Sequence, residues 1–516
     1  MELKLNREEI TASEVIFDGT QEQSVELDYV LPDYYPEIFK IIKCIVTPRV
    51  LSFSVSQDRL TYELSVCTKV LYCAEDRAGV QVVDQKQTYT KTADLGRVGI
   101  NPRVIISPRT DFCNCRAVNQ RRIDIRGAVS IKIRVTDLCK REVVSDAFGM
   151  DIQLRKTPVT YPVNKLYTTK RVTVTDEFDL GLSKPPIENL LRSDAVVAST
   201  DKKVIANKLV AKGEVYVNML YTCDKDNSGG IESMQFTVPF SQIIDLDGID
   251  ERFECMVDTD VISCELSPHS DADGNSKIIE CTLVLLITCQ AHRIATVDLV
   301  TDHYSMLYKS SGIKSDIKLE LPPQTINQPH VVKGALEYES GGLDSIFDVW
   351  ANVPMFTVKP APEEKQLIIA GTVCFTVMVR DKEGDMAVLD KDEPFVLSLP
   401  MEGVNEATTA ELRILPVSCS YNMASDNTVE AKAELRITGN VISSAILPAI
   451  TDIAVNTEEP VKRDGDFALR LYFAGENEDL WEIAKKYGTS IAAIMEENEI
   501  EAEIIQFAGM ILIPIL

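Results

Sequence analysis

The feature that most constrains this chain is an internal repeat with a fixed register. One set of landmarks is Ile38, Ile187 and Ile346, and a second set, each before an acidic turn, is Leu71, Leu220 and Val379. Both sets advance by 149 residues at the first step and by 159 residues at the second. Two landmarks that keep one register over two steps indicate three copies of one structural unit.

Each copy reads as a succession of strands after a short opening segment. The opening segments at residues 36–43, 186–192 and 344–350 are expected to form a short helix or turn, with Trp350 packed in the core of the third copy. The segments RLTYELSVCTKVLY, KLVAKGEVYVNMLY and QLIIAGTVCFTVMV alternate apolar and polar residues, which is typical of half-buried strands. The sequence therefore predicts a mainly β chain of three tandem β-sandwich or barrel-like repeats.

The end of the chain has a different pattern. Polar residues with Pro and Gly at 457–466 indicate a linker, and LRLYF predicts a short strand after it. Asp479 is placed to cap a helix whose apolar residues recur at i, i+3, i+4 and i+7 from Leu480, and Gly488 follows as a C-cap. A second helix over 489–498 and the strand MILIPIL complete a small β-α-α-β domain. The expected division is 1–157, 158–303 and 304–455 for the repeats, 456–465 for the linker and 466–516 for the last domain.

The charge of the chain excludes several classes of partner. Lys and Arg number 53 and Asp and Glu 79, which gives a net charge of −26. Nucleic acids and anionic membrane surfaces need a basic face, so neither is an expected partner. The charged N-terminus MELKLNREEI has no apolar signal-peptide core, and the apolar runs are far too short to cross a bilayer. We therefore expect a cytoplasmic protein without membrane insertion.

Residues that could hold a metal or perform catalysis form no recognisable motif. The thirteen cysteines are scattered through strand-like segments and the four histidines do not cluster, so we expect reduced core thiols and no metal. The acidic segments at 224–230 and 271–275 do not fit a twelve-residue calcium loop, which favours hairpin turns. Hydrolase, nucleotide-binding and zinc-peptidase motifs are missing from the sequence. The sequence predicts a non-enzymatic protein without a cofactor.

The last fifty residues resemble the LysM domain. The resemblance is carried by Tyr472, Leu480, Trp481, Ile483, Ala484, Tyr487, Gly488, Thr489, Ile494, Asn498, Leu512, Ile513 and Pro514. It implies that the two loops of the domain form a groove for N-acetylglucosamine glycans in relatives that bind sugar. Here the first loop has Asn477, Glu478 and Asp479 where the family has Gly-Asp-Thr, and the second loop is rich in acids. These changes favour protein docking at least as much as glycan binding.

The ligand or partner residues that this resemblance predicts lie in or beside the two loops. They are Asn477, Glu478, Asp479, Leu480, Trp481, Asn498, Glu499, Ile500 and Ile505. For Trp481, packing against the first strand of the domain is expected in preference to a ligand contact.

The repeated unit resembles the SPOCS domain of spore-coat assembly proteins. The carriers are LDYVLPDYYPEIFKIIK at 27–43 and the strand, acidic turn and strand after it. A chain of such repeats with a C-terminal LysM domain resembles the clostridial coat scaffolds. The resemblance implies a structural protein in the mother-cell cytoplasm at the forespore surface, whose LysM domain docks a coat morphogenetic ATPase or another coat protein. Two alternatives stay open, a peptidoglycan-binding protein and a subunit that assembles itself into a filament or lattice.

Overall fold

The structure is a computed structural model that describes residues 3–74, 79–97, 99, 102–223, 230–461 and 468–515. Within these residues it contains twenty-two strands and two helices, and both helices lie near the C-terminus. Neither of these helices has the length and apolar run needed to cross a bilayer. The predicted mainly β fold is confirmed.

The first repeat consists of two antiparallel three-stranded sheets. Its strands are β1 (Lys4–Val30), β2 (Ile38–Ser56), β3 (Arg59–Ala74), β4 (Val80–Asp94), β5 (Arg103–Asn119) and β6 (Arg122–Phe148). The sheets have the orders β1-β6-β5 and β2-β3-β4. Apolar side chains from β3 and β6, among them Leu64 and Ile131, fill the space between them. This arrangement is a β-sandwich.

The second repeat has the same plan. Its strands are β7 (Ile152–Asp179), β8 (Asn189–Ile205), β9 (Lys208–Cys223), β10 (Gly230–Asp245), β11 (Glu254–Ser270) and β12 (Ser276–Ser305). The sheet orders β7-β12-β11 and β8-β9-β10 correspond strand for strand to those of the first repeat. The repetition read from the sequence thus extends to the strand order of both sheets.

The third repeat divides the two strands that correspond to β1 and β6 of the first repeat. Its strands are β13 (Tyr308–Glu320), β14 (Gln324–Glu337), β15 (Leu343–Ala361), β16 (Gln366–Asp381), β17 (Met386–Pro400), β18 (Thr409–Ser425), β19 (Thr428–Ile442) and β20 (Ser444–Pro460). The sheets are β14-β19-β18 and β15-β16-β17, and β13 pairs with β20 alone. Pro322 and Pro323 lie between β13 and β14, and a proline cannot donate to a ladder, which accounts for the interruption.

Period-2 alternation explains why these segments are strands. In β12, every second residue points into the core of the second repeat. The buried set is Ile279, Cys281, Leu283, Leu285, Ile287, Cys289 and Ala291. The residues between them are partly or fully exposed, as the pleat of a strand requires.

The three opening segments are strands, so the expected helix or turn is wrong. They begin β2, β8 and β15, and Trp350 therefore lies on a strand. The pairing of β2 with β3 shifts register between Ile38 and Lys40 and again between Ile41 and Lys43. Each such bulge adds one residue and breaks the period-2 pattern, which gave the segment the spacing of a short helix.

The acidic segment at 271–275 is the hairpin turn between β11 and β12. The Asp271 carboxylate accepts hydrogen bonds from the backbone N–H groups of Asp273 (2.9 Å) and Asn275 (2.8 Å). The carboxylate is therefore used to hold the turn. Most of the other acidic segment, residues 224–229, lies outside the described residues.

Equivalent positions of the three repeats meet in one shared core. The members include the bulged residues Ile42, Leu191 and Phe347, together with Leu71, Leu220, Met378, Val80, Ile231 and Met386. In the third repeat the sequence landmarks are out of register: Met378, not Val379, is equivalent to Leu71 and Leu220, and Leu343, not Ile346, is equivalent to Ile38 and Ile187. The contacts are cyclic, since β4 contacts β8, β10 contacts β15 and β17 contacts β2. One interface used three times closes the repeats into a ring.

A second shared core lies between the outer parts of the long strands. The pairs β1–β6, β7–β12 and β13–β20 contribute Ile10, Val143, Val159, Tyr161, Val297, Leu299, Ile317, Leu319 and Ala449.

The chain turns between the first two pairs of long strands at residues 149–151 and between the next two pairs at 306–307. The boundaries expected at 157/158 and 303/304 fall inside β7 and β12. Of the expected linker, residues 456–460 belong to β20 because they continue its strand, and 462–465 lie outside the described residues.

The C-terminal domain has the predicted β-α-α-β order. It comprises β21 (Leu469–Ala474), α1 (Leu480–Tyr487), α2 (Ile491–Asn498) and β22 (Gly509–Pro514). Asp479 caps α1 by accepting from the Trp481 N–H, and Gly488 ends the helix with φ of 65°. Ser490 caps α2 by accepting from the Ala493 N–H, so this helix begins at Ile491.

Candidate functional site: the C-terminal domain

The first loop of the C-terminal domain uses its central carboxylate internally. Glu478 accepts hydrogen bonds from the Tyr472 hydroxyl (2.5 Å) and from the Gly475 N–H (2.8 Å). These bonds lower the pKa of Glu478, and the bond to Glu478 raises the pKa of Tyr472 to about 12. Asn477 is exposed in the left-handed region with φ of 65°. Of these side chains, only Asn477 points freely into solvent.

Backbone hydrogen bonds join the first loop to the second. Ile505 accepts from the Asn477 N–H at 2.8 Å and donates to the Glu478 carbonyl at 2.9 Å. The Leu480 N–H donates to the Glu503 carbonyl at 2.9 Å. Because these N–H groups already donate to carbonyls of the other loop, they are not available to a ligand lying between the loops.

Several of the predicted site residues hold the domain together. Leu480 and Ile505 are in its apolar core, and Ile500 packs against that core. The Asn498 side chain donates to the Ile494 and Leu512 carbonyls and accepts from the Leu512 N–H, so it fastens α2 to β22. Glu499 follows α2 in the left-handed region and is exposed.

Trp481 packs against the second repeat. Its indole N–H donates to the Asp302 carboxylate at 2.8 Å, and its ring meets the Tyr304 ring edge-on with centroids 5.0 Å apart. Trp481 also belongs to the apolar cluster that contains Ala474 of the first strand, so the end of β12 is an additional packing partner that the sequence did not predict. Trp481 is 3% exposed, so it cannot meet a ligand without separation of these surfaces.

Ion pairs surround Trp481 and attach the domain to the body of the protein. Lys485 donates to Asp302 at 2.6 Å, and Arg155 of β7 pairs with Asp479 at 2.7 Å. Burial raises the pKa of Asp302, but hydrogen bonds from Lys485 and Trp481 outweigh burial and lower it to about 2. The Tyr304 hydroxyl donates to the Thr489 carbonyl at 2.6 Å. Asp479 and Trp481 thus serve as docking residues inside the chain.

A continuous exposed apolar surface of the domain lies on its two-stranded sheet, and sequence reasoning missed it. We call it the outer sheet face; it consists of Leu469, Leu471, Phe473, Met510, Leu512 and Pro514. Leu471 is 61% exposed and Phe473 64% exposed, while the helices and the buried core cover the opposite face. The signal was the pattern LRLYF with MILIP, which is apolar on both faces although two short helices can cover only one.

The domain around the outer sheet face is strongly acidic. Residues 466–516 contain three Lys or Arg and ten Asp or Glu, so their net charge is 3 − 10 = −7. Within the described residues of the whole chain, no three His, Cys, Asp or Glu side chains are grouped to hold a metal ion. An apolar face on an acidic domain suits protein recognition.

The architecture defines a repeat protein with a C-terminal binding domain. Residues 186–268, in the second repeat, match the family model described as SipL, SPOCS domain, and residues 475–513 match the LysM domain model. Comparisons with curated proteins and with solved structures gave no match. The predicted combination of SPOCS and LysM domains is confirmed. These are domains of a spore-coat-associated, peptidoglycan-binding type of protein, and both are binding domains without catalytic function.

Proposed function

We propose that this chain is a non-enzymatic scaffold of spore-coat morphogenesis that docks a coat basement-layer protein through its LysM domain. The partner is a coat morphogenetic ATPase or another coat protein, met in the mother-cell cytoplasm at the forespore surface. The observation that carries the proposal is the orientation of the domain. Asp479 and Trp481 are engaged by the second repeat, while the outer sheet face is directed to solvent.

The chemistry of the outer sheet face fits a protein partner. Burial of exposed Leu and Phe side chains gives roughly 25 cal/mol per Å² of apolar area, which a sugar cannot match over this surface. The net charge of −7 favours a partner whose apolar side chains are bordered by Lys or Arg. The three-repeat ring supplies the base to which the domain that carries this face is attached.

Binding of the full-length chain to the purified coat ATPase tests the proposal. Leu471→Glu and Phe473→Glu place charge in the outer sheet face, and we expect each to weaken binding at least tenfold with unchanged circular dichroism. Ile446→Glu is the matched control, since Ile446 is 66% exposed near the beginning of β20, at the opposite end of that strand from the C-terminal domain. A chain without residues 466–516 should not bind. Equal binding by all four variants would overturn the proposal.

Peptidoglycan binding is the second candidate, favoured by the LysM match at 475–513. It predicts that the protein sediments with purified peptidoglycan and that Asn477→Ala or Glu499→Ala reduces sedimentation, because these are exposed loop residues. The outer-face variants should then sediment like the unmodified protein. Sedimentation that depends on the loops and not on the outer sheet face would favour this candidate over protein docking.

A further inference from the structure

Two thiols of the first repeat are in direct contact. The Sγ atoms of Cys44 and Cys113 are 3.3 Å apart, although the residues are 69 positions apart in the chain. Cys115, two residues further along β5, packs in the same apolar cluster. All three side chains are partly accessible to solvent. Contact together with access is what a thiol pair needs to react.

The pair lies across the seam between the two sheets of the sandwich. β2 is an edge of the sheet β2-β3-β4, and β5 is an edge of the sheet β1-β6-β5. A side chain already crosses this seam further along, where the Thr110 hydroxyl donates to the Val46 carbonyl at 2.8 Å. A bond between Cys44 and Cys113 would join the two sheets covalently.

The register of the strands shows that a pair at these two positions occurs in the first repeat alone; in the second repeat Cys264 hydrogen-bonds instead with Cys281 of β12. The bulges of β5, β11 and β18 align Cys113 with Cys264 and Cys419. The position aligned with Cys44 holds Ser193 in the second repeat and Val349 in the third. The cysteine of β5 is thus repeated three times, but a cysteine at the position of Cys44 occurs once.

We propose that Cys44 and Cys113 form an oxidisable dithiol that hydrogen peroxide converts to a disulfide across the seam of the first repeat. The hydrogen bond from the Cys44 thiol lowers the pKa of Cys113, and the same bond raises the pKa of Cys44. Cys113 is therefore the thiol that reacts first, because the thiolate is the nucleophile.

The chemistry balances with one equivalent of peroxide. Cys113 first loses its proton, and the resulting thiolate attacks one peroxide oxygen so that the O–O bond breaks and a sulfenic acid forms. The released hydroxide combines with the proton that Cys113 lost and leaves as water. Cys44 sulfur then attacks the sulfur of the Cys113 sulfenic acid, the S–O bond breaks, and a second water carries away the Cys44 proton. Two thiols lose two electrons in all, and peroxide gains them.

Mass spectrometry of the full-length protein tests the proposal. After native peroxide treatment and alkylation, trypsin releases CIVTPR (44–49) and TDFCNCR (110–116), which we expect as one disulfide-linked pair that dithiothreitol separates. Because the second peptide also contains Cys115, the assignment uses Cys115→Ser, which should retain the link. Cys44→Ser and Cys113→Ser should lose it. Cys264→Ser, altered at the aligned position of the second repeat, should behave like the unmodified protein.

The oxidised protein should also be harder to unfold, since the disulfide closes a long loop. Its urea midpoint should exceed that of the reduced protein, and this difference should vanish in Cys44→Ser. Recovery of Cys44 and Cys113 as free alkylated thiols, or as separate sulfinic acids, would overturn the proposal. So would a link that requires Cys115.

Discussion

At the scale of single residues, Trp481 belongs to the C-terminal domain but makes its polar and ring contacts with the second repeat. Its N–H bonds to a charged carboxylate and its ring packs on Tyr304. Replacement by Phe keeps most of the ring and removes the donor. Hydrogen bonds to charged groups are worth about 1.5–3 kcal/mol, so we expect Trp481→Phe to destabilise the folded protein by about 2 kcal/mol.

Urea unfolding of the full-length chain measures this cost. Lys485→Gln is the matched control, since it removes another donor to Asp302 from a more exposed site and should cost less than about 1 kcal/mol. If Trp481→Phe left stability unchanged but abolished binding of the coat ATPase, Trp481 would be a partner contact and the docking role would be wrong.

Asp302 makes the same contact dependent on pH. An ordinary Asp has a pKa of about 3.9, whereas that of Asp302 is lowered to about 2 in the folded protein. Because the pKa is lower in the folded than in the unfolded protein, the ionised Asp302 carboxylate adds to the free energy of unfolding. This contribution is complete above about pH 4 and is lost as the pH falls towards 2. The difference in unfolding free energy between the unmodified protein and Asp302→Asn should therefore shrink between pH 5 and pH 2.5. Parallel pH profiles for the two proteins would contradict this expectation.

At the scale of strands, charged residues at aligned positions form ion pairs between repeats that differ in burial. Arg192 pairs with Asp348 at 2.5 Å between the second and third repeats, and its guanidinium lies 4.3 Å from the Trp350 ring. Lys43, at the aligned position of the first repeat, pairs with Asp390 at 2.6 Å. The side chain of Arg192 is 9% exposed, whereas that of Asp390 is 55% exposed.

Burial decides the cost of breaking each pair. Removing one partner of a buried pair leaves an uncompensated charge and costs about 3–5 kcal/mol, whereas an exposed pair contributes about 0–1 kcal/mol. Asp194 also pairs with Arg192 and offsets part of the loss, so we expect about 3 kcal/mol for Asp348→Asn and below about 1 kcal/mol for Asp390→Asn. Urea unfolding of both variants provides the measurement, and equal costs would show that burial does not govern these pairs.

The sequence predicted individual strands better than it predicted their partners. Alternation such as that from Ile279 to Ala291 reports burial on one face, which is a local property. The end of β9, Met219 to Cys223, is buried at every position, and this continuous burial marks a strand covered on both faces. The sequence NMLYTC carried that signal, but only the folded chain reveals that the second cover is another repeat.

The same limit applies to the candidate site. Helix caps at Asp479 and Gly488 depend on neighbouring residues, so the sequence predicted them. The bond between Trp481 and Asp302 joins residues 179 positions apart, and no local pattern encodes it. The outer sheet face was not predicted, because the resemblance to LysM implies a site in the two loops. Its exposed Leu471 and Phe473 follow from counting how many faces two helices can cover.

At the scale of the whole molecule, two shared cores at different places along the strands determine how the repeats unfold. Leu220 lies in the core formed by equivalent positions, and Leu299 lies in the core between the long strand pairs. A repeat that unfolded alone would expose apolar side chains of its neighbours at both places. We therefore expect the three repeats to unfold in one cooperative transition, with a calorimetric enthalpy equal to the van't Hoff enthalpy for residues 1–461.

Two variants distinguish this behaviour from independent repeats. Leu220→Ala removes a buried side chain from the shared core, and Leu283→Ala removes one from the private core of the second repeat. Each should cost about 2–5 kcal/mol, because both leucines are fully buried. In a closed ring, both variants shift the single transition to lower temperature without splitting it. If Leu283→Ala instead separated an early transition from an unchanged later one in scanning calorimetry, the second repeat would be an independent folding unit and the shared cores would contribute little to cooperativity.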